Sequence, residues 1–352
     1  MRICIDGRGL GARPTGAGKA LARLLRQLRS DFPQHDYDVV VPAGDAGWRL
    51  PHQLAWEQVL LPARARRLGA HILHVPGGTS APVAPGLNVV MTLHDLAPTR
   101  HPEFLPHWRS RWYWGRWVPF TARFAQRVLV PSAATRRDLV ALGRVPERRV
   151  EVVPWGVALD PEVTPSPADE VRAVYRLPDR YLLYVGTIDR RKDYRTLLAV
   201  LPRLDVALVI AGTVIPGRSD FEVAARDPAV AARISVLGYV PEAHLPALYR
   251  GAVAFVYPSF YEGFGLPVLE AMACGVPVVT YNTTALPEVT GDAAILIDLP
   301  VSADALAAAI ARVATDATLR QSLVERGLAR AATFDWRTTA ALTARAYEAL
   351  AA

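Results

Sequence analysis

The order of apolar runs and helical patterns constrains the fold of this 352-residue chain more than any other feature. Before residue 160, short apolar strands alternate with helical stretches such as Lys19–Ser30 and Thr135–Leu142, and the alternation resumes after a proline-rich segment at 160–167. Strands that alternate with helices predict open, mostly parallel α/β sheets, which bind ligands beyond the carboxyl ends of their strands. The predicted strands are Ile3–Asp6, Val39–Pro42, Ile72–Val75, Val89–Leu93, Arg127–Val130, Val150–Val153, Tyr181–Gly186, Ala207–Ala211, Ile234–Leu237, Val253–Tyr257, Val278–Thr280 and Ala294–Ile297.

The length of the chain suits two domains of ordinary size, and a hydrophobic fraction of 51% argues against disorder. We take 160–167 as the linker, which predicts domains at 1–160 and 161–335 and a final helix at 336–352. No apolar run approaches the roughly 18 residues of a spanning helix, and the N-terminus lacks a signal-peptide pattern. The two cysteines fall in predicted core elements of different domains, so we expect a cytoplasmic protein without disulfides.

The charge is concentrated in the first half of the chain. Residues 1–160 contain 22 Lys+Arg against 12 Asp+Glu, a net charge of +10, whereas the rest of the chain carries −3. This favours an anionic acceptor or an anionic surface for the first domain, unless the excess of arginine is only a compositional bias. A nucleic-acid partner is not expected, because no groove-reading motif or zinc spacing is found. Aromatic residues at helical spacing, with Arg109, Arg116 and Arg123 among them, predict a helix over 103–127 that contacts either a membrane interface or the core.

The segment Tyr261–Val279 contains two carboxylates, Glu262 and Glu270, on either side of a glycine turn that opens into a short apolar helix. The N–H groups of Gly263–Gly265 would then lie at a helix N-terminus, which favours an anion. Glu262 is placed to reach the sugar side of a bound phosphate. Glu270, inside the helix, is placed to accept hydrogen bonds from vicinal hydroxyls such as those of a ribose. This arrangement suits a nucleotide-sugar.

A second charged segment follows the predicted strand Tyr181–Gly186. Its loop places Arg191 and Lys192 just before a helix that begins near Tyr194, and Lys192 is one of only two lysines among 40 basic residues. A guanidinium and an ammonium together can hold a diphosphate and offset its charge as a leaving group.

These motifs resemble glycosyltransferase family 4, the large group of retaining GT-B sugar transferases. The resemblance rests on Glu-x7-Glu with Gly-Phe-Gly after the first Glu, on the closing Glu-Ala-Met-Ala-Cys-Gly-Val-Pro-Val-Val, and on the Gly-x4-Arg-Lys segment. The chain departs from many members at Thr187, where they have an arginine. The resemblance implies two Rossmann-like domains facing across a cleft, with the acceptor bound by the first domain and the donor by the second. It also implies that the last helix crosses back to the first domain.

The resemblance also implies roles for individual residues. His94, Lys192 and Glu262 are the expected catalytic residues, and His94 would lie beside the donor sugar unless it is an ordinary core histidine. The turn around Gly16 would bring backbone close to the donor, and the segment after the third strand of the second half would border the base unless it is a plain loop. The expected donor-binding residues are Gly16, Arg191, Lys192, Tyr239, Val240, Glu262, Gly263, Phe264, Gly265, Leu266 and Glu270.

The implied function is retaining transfer of a hexose from a nucleoside-diphosphate sugar to a glycan or lipid-linked saccharide during polysaccharide biosynthesis. GDP-mannose is the first candidate donor, from similarity to bacterial mannosyltransferases of surface-polysaccharide assembly. The resemblance implies an enzyme without a cofactor or metal, and the sequence agrees, since no Asp-x-Asp lies near the donor segments. No nucleic-acid partner is expected. The protein is expected in the cytoplasm, either free or peripheral on the inner face of the cell membrane. The alternatives are a nucleotide-sugar epimerase or hydrolase of the same architecture and a non-catalytic glycan-binding relative.

Overall fold

The structure is a computed structural model and describes residues 1–11, 16–42, 50–105, 107–157, 163–214 and 219–351. The chain divides into two compact units, Met1–Gly156 with Phe334–Ala352, and Val157–Thr333. The first unit therefore ends a few residues before the boundary predicted at 160. The predicted linker at 160–167 lies partly outside the described residues.

The first unit contains a six-stranded sheet in which every pairing is parallel. Its strands are β1 (Arg2–Asp6), β2 (Asp36–Val40), β3 (Ile72–Val75), β4 (Asn88–Thr92), β5 (Arg127–Val130) and β6 (Val150–Val152), in the spatial order β2-β1-β3-β4-β5-β6. Helices α1 (Gly16–Asp31), α2 (Leu50–Ala55), α3 (Leu61–Arg67), α4 (Ala97–Arg100), α5 (Trp108–Trp112), α6 (Val118–Thr121) and α7 (Ala133–Ala141) connect them.

The second unit contains another six-stranded parallel sheet. Its strands are β7 (Tyr181–Val185), β8 (Ala207–Ala211), β9 (Ile234–Gly238), β10 (Ala254–Tyr257), β11 (Val278–Tyr281) and β12 (Ala294–Ile297), in the order β12-β11-β10-β7-β8-β9. Its helices are α8 (Ala168–Tyr175), α9 (Tyr194–Val200), α10 (Ser219–Ala225), α11 (Pro228–Ala231), α12 (Leu245–Gly251), α13 (Leu266–Ala273), α14 (Leu286–Thr290), α15 (Ala303–Thr315) and α16 (Ala317–Ala331). The predicted α/β class with parallel sheets is confirmed in both units.

The last helix, α17 (Trp336–Ala351), belongs to the first unit. Its small residues Ala340 and Ala344 are fully buried and pack with Tyr347 into the core that β1, α1 and β3 form. The Tyr347 hydroxyl lies 2.6 Å from Nδ1 of His74, a buried residue of β3. A side chain at the far end of the sequence therefore completes the core of the first sheet.

Strand β2 differs from its prediction. The apolar run placed it at Val39–Pro42, but the strand begins at Asp36, which lies opposite Arg2 of β1. β2 is an edge strand with a paired neighbour on one side only. Edge strands carry polar side chains at many positions, so the apolar run marks only their end.

The segment 103–127 is not one regular α-helix, which corrects the prediction. Helix α5 passes into a π-helical turn at Tyr113–Trp117, and α6 restarts at Val118 with Pro119 in its first turn. Proline has no N–H to donate and therefore favours such a restart. The aromatic residues are divided between two surroundings, since Tyr113 is buried whereas the Trp108 side chain is 71% exposed. None of the helices in the described ranges combines the length and hydrophobicity needed to span a bilayer.

Candidate active site

The chain order of the second sheet reverses between β7 and β10, which lie side by side. Connections from these two strands leave in opposite directions, so their carboxyl ends border a crevice where α/β sheets bind ligands. The loop after β7 carries Arg191 and Lys192, and the loop after β10 carries Glu262. The fold thus brings the two charged segments of the sequence to one edge of the sheet.

Local hydrogen bonds fix the loop after β7. Gly186 has φ +140°, and a Cβ atom there would lie 3.0 Å from Nζ of Lys192, so glycine leaves room for the lysine. The carboxylate of Asp189 accepts a hydrogen bond from the N–H of Arg191 at 3.2 Å, at the start of a 3₁₀ turn over Arg190–Lys192. Asp193 then caps α9 by accepting from the N–H of Thr196.

Glu262 is the point on which the basic side chains converge. Its Oε1 lies 2.8 Å from Nη1 of Arg191 and 3.8 Å from Nζ of Lys192. The hydroxyl of Ser259 also donates to Oε1, at 2.8 Å. Burial alone would raise the pKa of Glu262, but the nearby cations and hydroxyl donors hold it below its ordinary value. The carboxylate is therefore ionised and bound on several sides.

Tyr257, the last residue of β10, connects Lys192 to Glu262. Lys192 is only 8% exposed, and its Nζ donates to the Tyr257 hydroxyl, which in turn donates to Oε1 of Glu262 at 3.0 Å. Burial, reinforced by the charge of Glu262, raises the pKa of Tyr257 well above its ordinary value, so the phenol stays protonated and acts as a donor. The ammonium of Lys192 is thereby held in one position.

The glycine turn lies at the N-terminus of α13, as predicted. Gly265 is the residue before the helix, with φ +108°, and a Cβ there would lie 2.9 Å from Cδ2 of Leu286. Phe264 and Leu266, on either side of Gly265, are buried. The Arg191 guanidinium donates to the carbonyl of Tyr261, which ties the loop after β7 to this turn.

Glu270 lies within α13, as predicted, one turn beyond the start of the helix. Its Oε2 accepts a hydrogen bond from the hydroxyl of Tyr249 on α12 at 2.7 Å. This contact orients the carboxylate, which is half-buried. Tyr239 and Val240 follow β9, where the Tyr239 side chain is exposed and that of Val240 is buried.

His94 lies in the first unit, two residues beyond the carboxyl end of β4, as predicted. Its ring is 5.0 Å from the Trp155 ring, edge to face, and it borders a cavity of about 20 Å³, which is room for one water. Neither ring nitrogen makes a hydrogen bond of normal geometry to a described residue. Burial lowers the pKa of His94 to about 4, although the backbone of Pro76 opposes the shift. The imidazole is therefore neutral at physiological pH.

Gly16 is the first residue of α1, and a Cβ atom there would meet nothing within 4 Å. Residues 12–15, including the threonine of the motif, lie outside the described residues. Packing instead involves Gly18, whose Cα lies 3.4 Å from the Cβ position of Gly9. Among the described residues, the space beside Gly16 is thus open, as a close approach of ligand to backbone requires.

Sequence reasoning missed several residues that hold the site together. Tyr257 and Ser259 bind Glu262, and Tyr249 binds Glu270. The only signal of Tyr257 and Ser259 in the sequence is position, because Tyr257 ends an apolar strand and Ser259 lies two residues beyond it, where site residues of parallel sheets occur. Within the part of the chain that the structure describes, no group of three or more His, Cys, Asp or Glu is arranged to hold a metal ion.

Profiles of two families match the chain. The profile described as glycosyltransferase family 4 matches residues 14–161, and the one described as glycosyl transferases group 1 matches residues 168–330. O-antigen chain mannosyltransferase B of Escherichia coli is 38% identical over 273 residues, which cover 74% of this chain and 70% of that protein.

Solved structures show the same fold. Sucrose-phosphate synthase from Thermosynechococcus elongatus superposes with a TM-score of 0.78 over 99% of both chains, at 22% identity. HepE from Anabaena, solved in complex with UDP-glucose, superposes with a TM-score of 0.76 over 99% of both chains, at 19% identity. The fold is accordingly the GT-B fold, and the chain belongs to glycosyltransferase family 4.

Proposed function

We propose that this glycosyltransferase retains the anomeric configuration of a hexose that it takes from a nucleoside-diphosphate sugar, with GDP-mannose as the first candidate donor. The acceptor is a growing glycan or a lipid-linked saccharide of a surface polysaccharide. The similarity to a mannosyltransferase of O-antigen chains supports both the sugar and the kind of product.

The observation that supports this proposal best is the convergence of Arg191 and Lys192 on one oxygen of Glu262, beside the N-terminus of α13. A donor diphosphate has the same sign of charge as Glu262 and bonds well to the same two cations. In the donor complex, Arg191 and Lys192 hold the diphosphate, the amides of Gly263–Gly265 and Glu262 hold the sugar side, and Glu270 accepts from the ribose hydroxyls. The backbone at Gly16 of the first unit comes close to the donor.

The reaction in this proposal is a front-face displacement without a metal ion. The acceptor oxygen forms its bond to the anomeric carbon as the bond to the phosphate oxygen breaks, and the departing phosphate takes the acceptor proton. Arg191 and Lys192 stabilise the charge that develops on that phosphate. A neutral His94 positions a hydroxyl of the donor sugar or of the acceptor, since its pKa of about 4 keeps it uncharged.

The surface of the first unit supports contact with a membrane from the cytoplasmic side, where lipid-linked acceptors are found. Trp108 is largely exposed, and the guanidinium of Arg109 lies 5.5 Å from its ring centroid. Exposed tryptophan beside arginine suits the interface of an anionic bilayer. Flotation of the protein with anionic and with neutral vesicles tests this part of the proposal, and equal recovery with both contradicts it.

The donor is tested by thermal shift against GDP-, UDP-, ADP- and dTDP-sugars. We expect GDP-mannose to raise the melting temperature at millimolar concentration or below, because a ligand that binds only the folded state stabilises it. If a sugar of another nucleotide class raises the melting temperature instead, that nucleotide is the donor and not GDP. If no compound of the panel raises it, the donor site is contradicted. NMR of the new glycosidic bond then shows whether the anomeric configuration is retained.

Incubation without acceptor separates the alternatives. A hydrolase releases free hexose from the donor, and an epimerase produces an isomeric nucleotide-sugar. A glycan-binding relative does neither and binds saccharide alone. We expect slow or no donor loss until a saccharide acceptor is added, because the proposed displacement needs the acceptor oxygen.

A further inference from the structure

The first unit has a cavity of about 400 Å³ of its own, at the point where its chain order reverses between β1 and β3. This is the position in the first sheet that corresponds to the donor crevice of the second. The volume lies within the range of small-molecule sites, which combine apolar walls with a few convergent polar groups. Leu21 and Trp114 form part of its apolar wall, and Arg8, Gln53 and Thr79 supply polar groups.

Arg8 is held in place by two acidic residues. Its Nε donates to Oδ2 of Asp6 at 2.8 Å, and its Nη1 donates to Oε1 of Glu57 at 2.9 Å. Glu57 is fully buried, and the hydroxyl of Tyr113 donates to both of its oxygens, at 2.6 and 2.7 Å. Nη2 of Arg8 also donates to Thr79 at 2.9 Å. A buried network of this kind fixes the cavity wall before any ligand arrives.

The charges of this network decide which ligand fits. Two carboxylates, Asp6 and Glu57, face one guanidinium, so the arginine adds no net positive charge to the cavity. A phosphate or uronate placed there would be repelled by acids that water screens poorly. An uncharged molecule with many hydroxyls suits Gln53 and Thr79, and its apolar face suits the ring of Trp114. The basic residues of the first unit therefore do not make this cavity an anion site.

Trp114 also lies at the junction of two further cavities. One of about 150 Å³ is lined by His94 and Asp95, and a groove of about 860 Å³ is lined by Trp108 and Arg109. Gln53 lines both the groove and the 400 Å³ cavity. Trp114 therefore borders all three cavities, a position that suits a residue on which sugar rings stack.

We propose that the 400 Å³ cavity binds a neutral sugar residue of the saccharide acceptor, with Trp114 as its stacking platform and the Asp6–Arg8–Glu57 network as its fixed wall. This inference rests on the proposed function, because it assigns the acceptor to the cavity. It makes Trp114 and Gln53 determinants of acceptor specificity, whereas the nucleotide of the donor is held by Arg191, Lys192 and Glu270 of the second unit.

The test uses the full chain without donor and measures binding by saturation-transfer NMR and calorimetry. The probes are an α-linked mannotriose and mannose 6-phosphate. We expect Trp114→Ala to weaken mannotriose binding by at least about tenfold, as loss of a buried aromatic anchor does, and Gln53→Ala to weaken it less. Trp112→Ala is the matched control, since Trp112 stacks on Trp117 and lines none of these three cavities.

The inference is overturned if wild-type protein binds no mannotriose, if Trp114→Ala binds it as tightly as wild type, or if mannose 6-phosphate binds more tightly than the neutral sugar. Failure of the proposed function is recognised separately, because the donor experiments measure the binding and loss of GDP-mannose and not the binding of a saccharide. With both substrates present, Trp114→Ala is expected to raise the acceptor KM by about tenfold while the donor Kd stays within about twofold of wild type. A change in donor Kd alone would point to a structural role and contradict the inference.

Discussion

The ammonium of Lys192 lies 4.5 Å from the centroid of the Tyr257 ring and donates a hydrogen bond to the hydroxyl of the same residue. Both the ring and the hydroxyl of Tyr257 thus contact the ammonium group and restrict a side chain that is otherwise flexible. Cations fixed before the reaction stabilise developing charge without reorganising at the moment of transfer. The sequence alone identifies the lysine, and the structure identifies what holds it.

Replacing Lys192 by alanine is expected to reduce kcat by at least about a hundredfold, because the substitution removes a preorganised charge beside the leaving phosphate. Lys192→Arg is expected to recover part of the loss. Steady-state kinetics check this, with Lys19→Ala as the matched control, since Lys19 is the only other lysine. Near-wild-type turnover of Lys192→Ala would contradict the assignment of Lys192 to the leaving phosphate.

Tyr257→Phe keeps the aromatic ring under Lys192 and removes the hydroxyl between Lys192 and Glu262. We expect kcat to fall by about tenfold, the value of one hydrogen bond to a charged group. Donor Kd is expected to change less than kcat, because Arg191 still contacts Glu262 directly. Isothermal titration with GDP alongside turnover separates the two effects, and a loss confined to Kd would show that Tyr257 serves binding only.

Glu270→Ala is expected to weaken nucleotide binding by about tenfold or more with a smaller effect on kcat, because the ribose hydroxyls lose a charged acceptor. Tyr249→Phe removes the hydroxyl that orients Glu270 and is expected to give a weaker loss in the same direction. Calorimetry with GDP and with the free base distinguishes ribose contact from other effects. An unchanged Kd in Glu270→Ala contradicts the ribose assignment.

Substitutions at two glycines are expected to have different effects, one on stability and the other on donor affinity. Gly265→Ala is expected to destabilise the fold by about 1–3 kcal/mol, because its φ of +108° disfavours a side chain and the new Cβ would crowd Leu286. Gly16→Ala adds a methyl group that meets no described residue within 4 Å, so its melting temperature is expected to match wild type while its donor affinity falls. Wild-type donor affinity in a folded Gly16→Ala protein would contradict the close approach at that residue.

Two histidines of the first unit, His74 and His94, predict a loss of stability in mild acid. Burial, reinforced by the nearness of His94, lowers the pKa of His74 to about 3, and burial lowers that of His94 to about 4, from an ordinary value of 6.5. Both are neutral when folded, so their contribution to stability is complete above pH 6.5 and is lost as the pH falls from there toward the folded values. The loss is about 1.4 kcal/mol per pH unit for each histidine.

Thermal unfolding of wild type and His74→Gln at about pH 7.5 and about pH 5 measures this effect. The variant is expected to be less stable at the higher pH, since it disturbs the contacts to Thr92 and Tyr347, but to lose less on acidification. Equal losses in both proteins would mean that His74 stays uncharged in the unfolded state or titrates normally in the fold. Comparing the two proteins removes the contribution of the carboxylates, which they share.

Local patterns predicted most of the fold. All twelve predicted strands overlap observed ones, because buried parallel strands read as continuous apolar runs and each is bounded by turn residues. The glycine turn before α13 and the loop of Arg191 and Lys192 were also predicted, since each lies within one short stretch of sequence. The predicted bounds of the edge strand β2 lay too far along the chain, because only its last residues, Val39 and Val40, are aliphatic.

Contacts between distant residues were not predicted. Arg8 and Glu57 are separated by 49 positions, and the pair exists because β1 and the π-helical turn at Trp56–Leu60 meet at the end of the sheet. Neither residue carries a motif, and an isolated glutamate in an apolar stretch gives no indication of its partner. The same holds for Tyr249 and Glu270, which lie on different helices. Pairings of this kind require the topology, which local periodicity does not supply.

The placement of α17 has a consequence for synthesis of the protein. The ribosome completes Val157–Thr333 before it makes the helix that contributes Ala340, Ala344 and Tyr347 to the core around β1. The core of the first unit therefore stays incomplete until α17 has been made, whereas all residues of the second unit, Val157–Thr333, have been made by then. We therefore expect the second unit to become protease-resistant before the first during translation, because the α1 residues Leu21, Leu25 and Leu28 lack their α17 neighbours until that helix has been made.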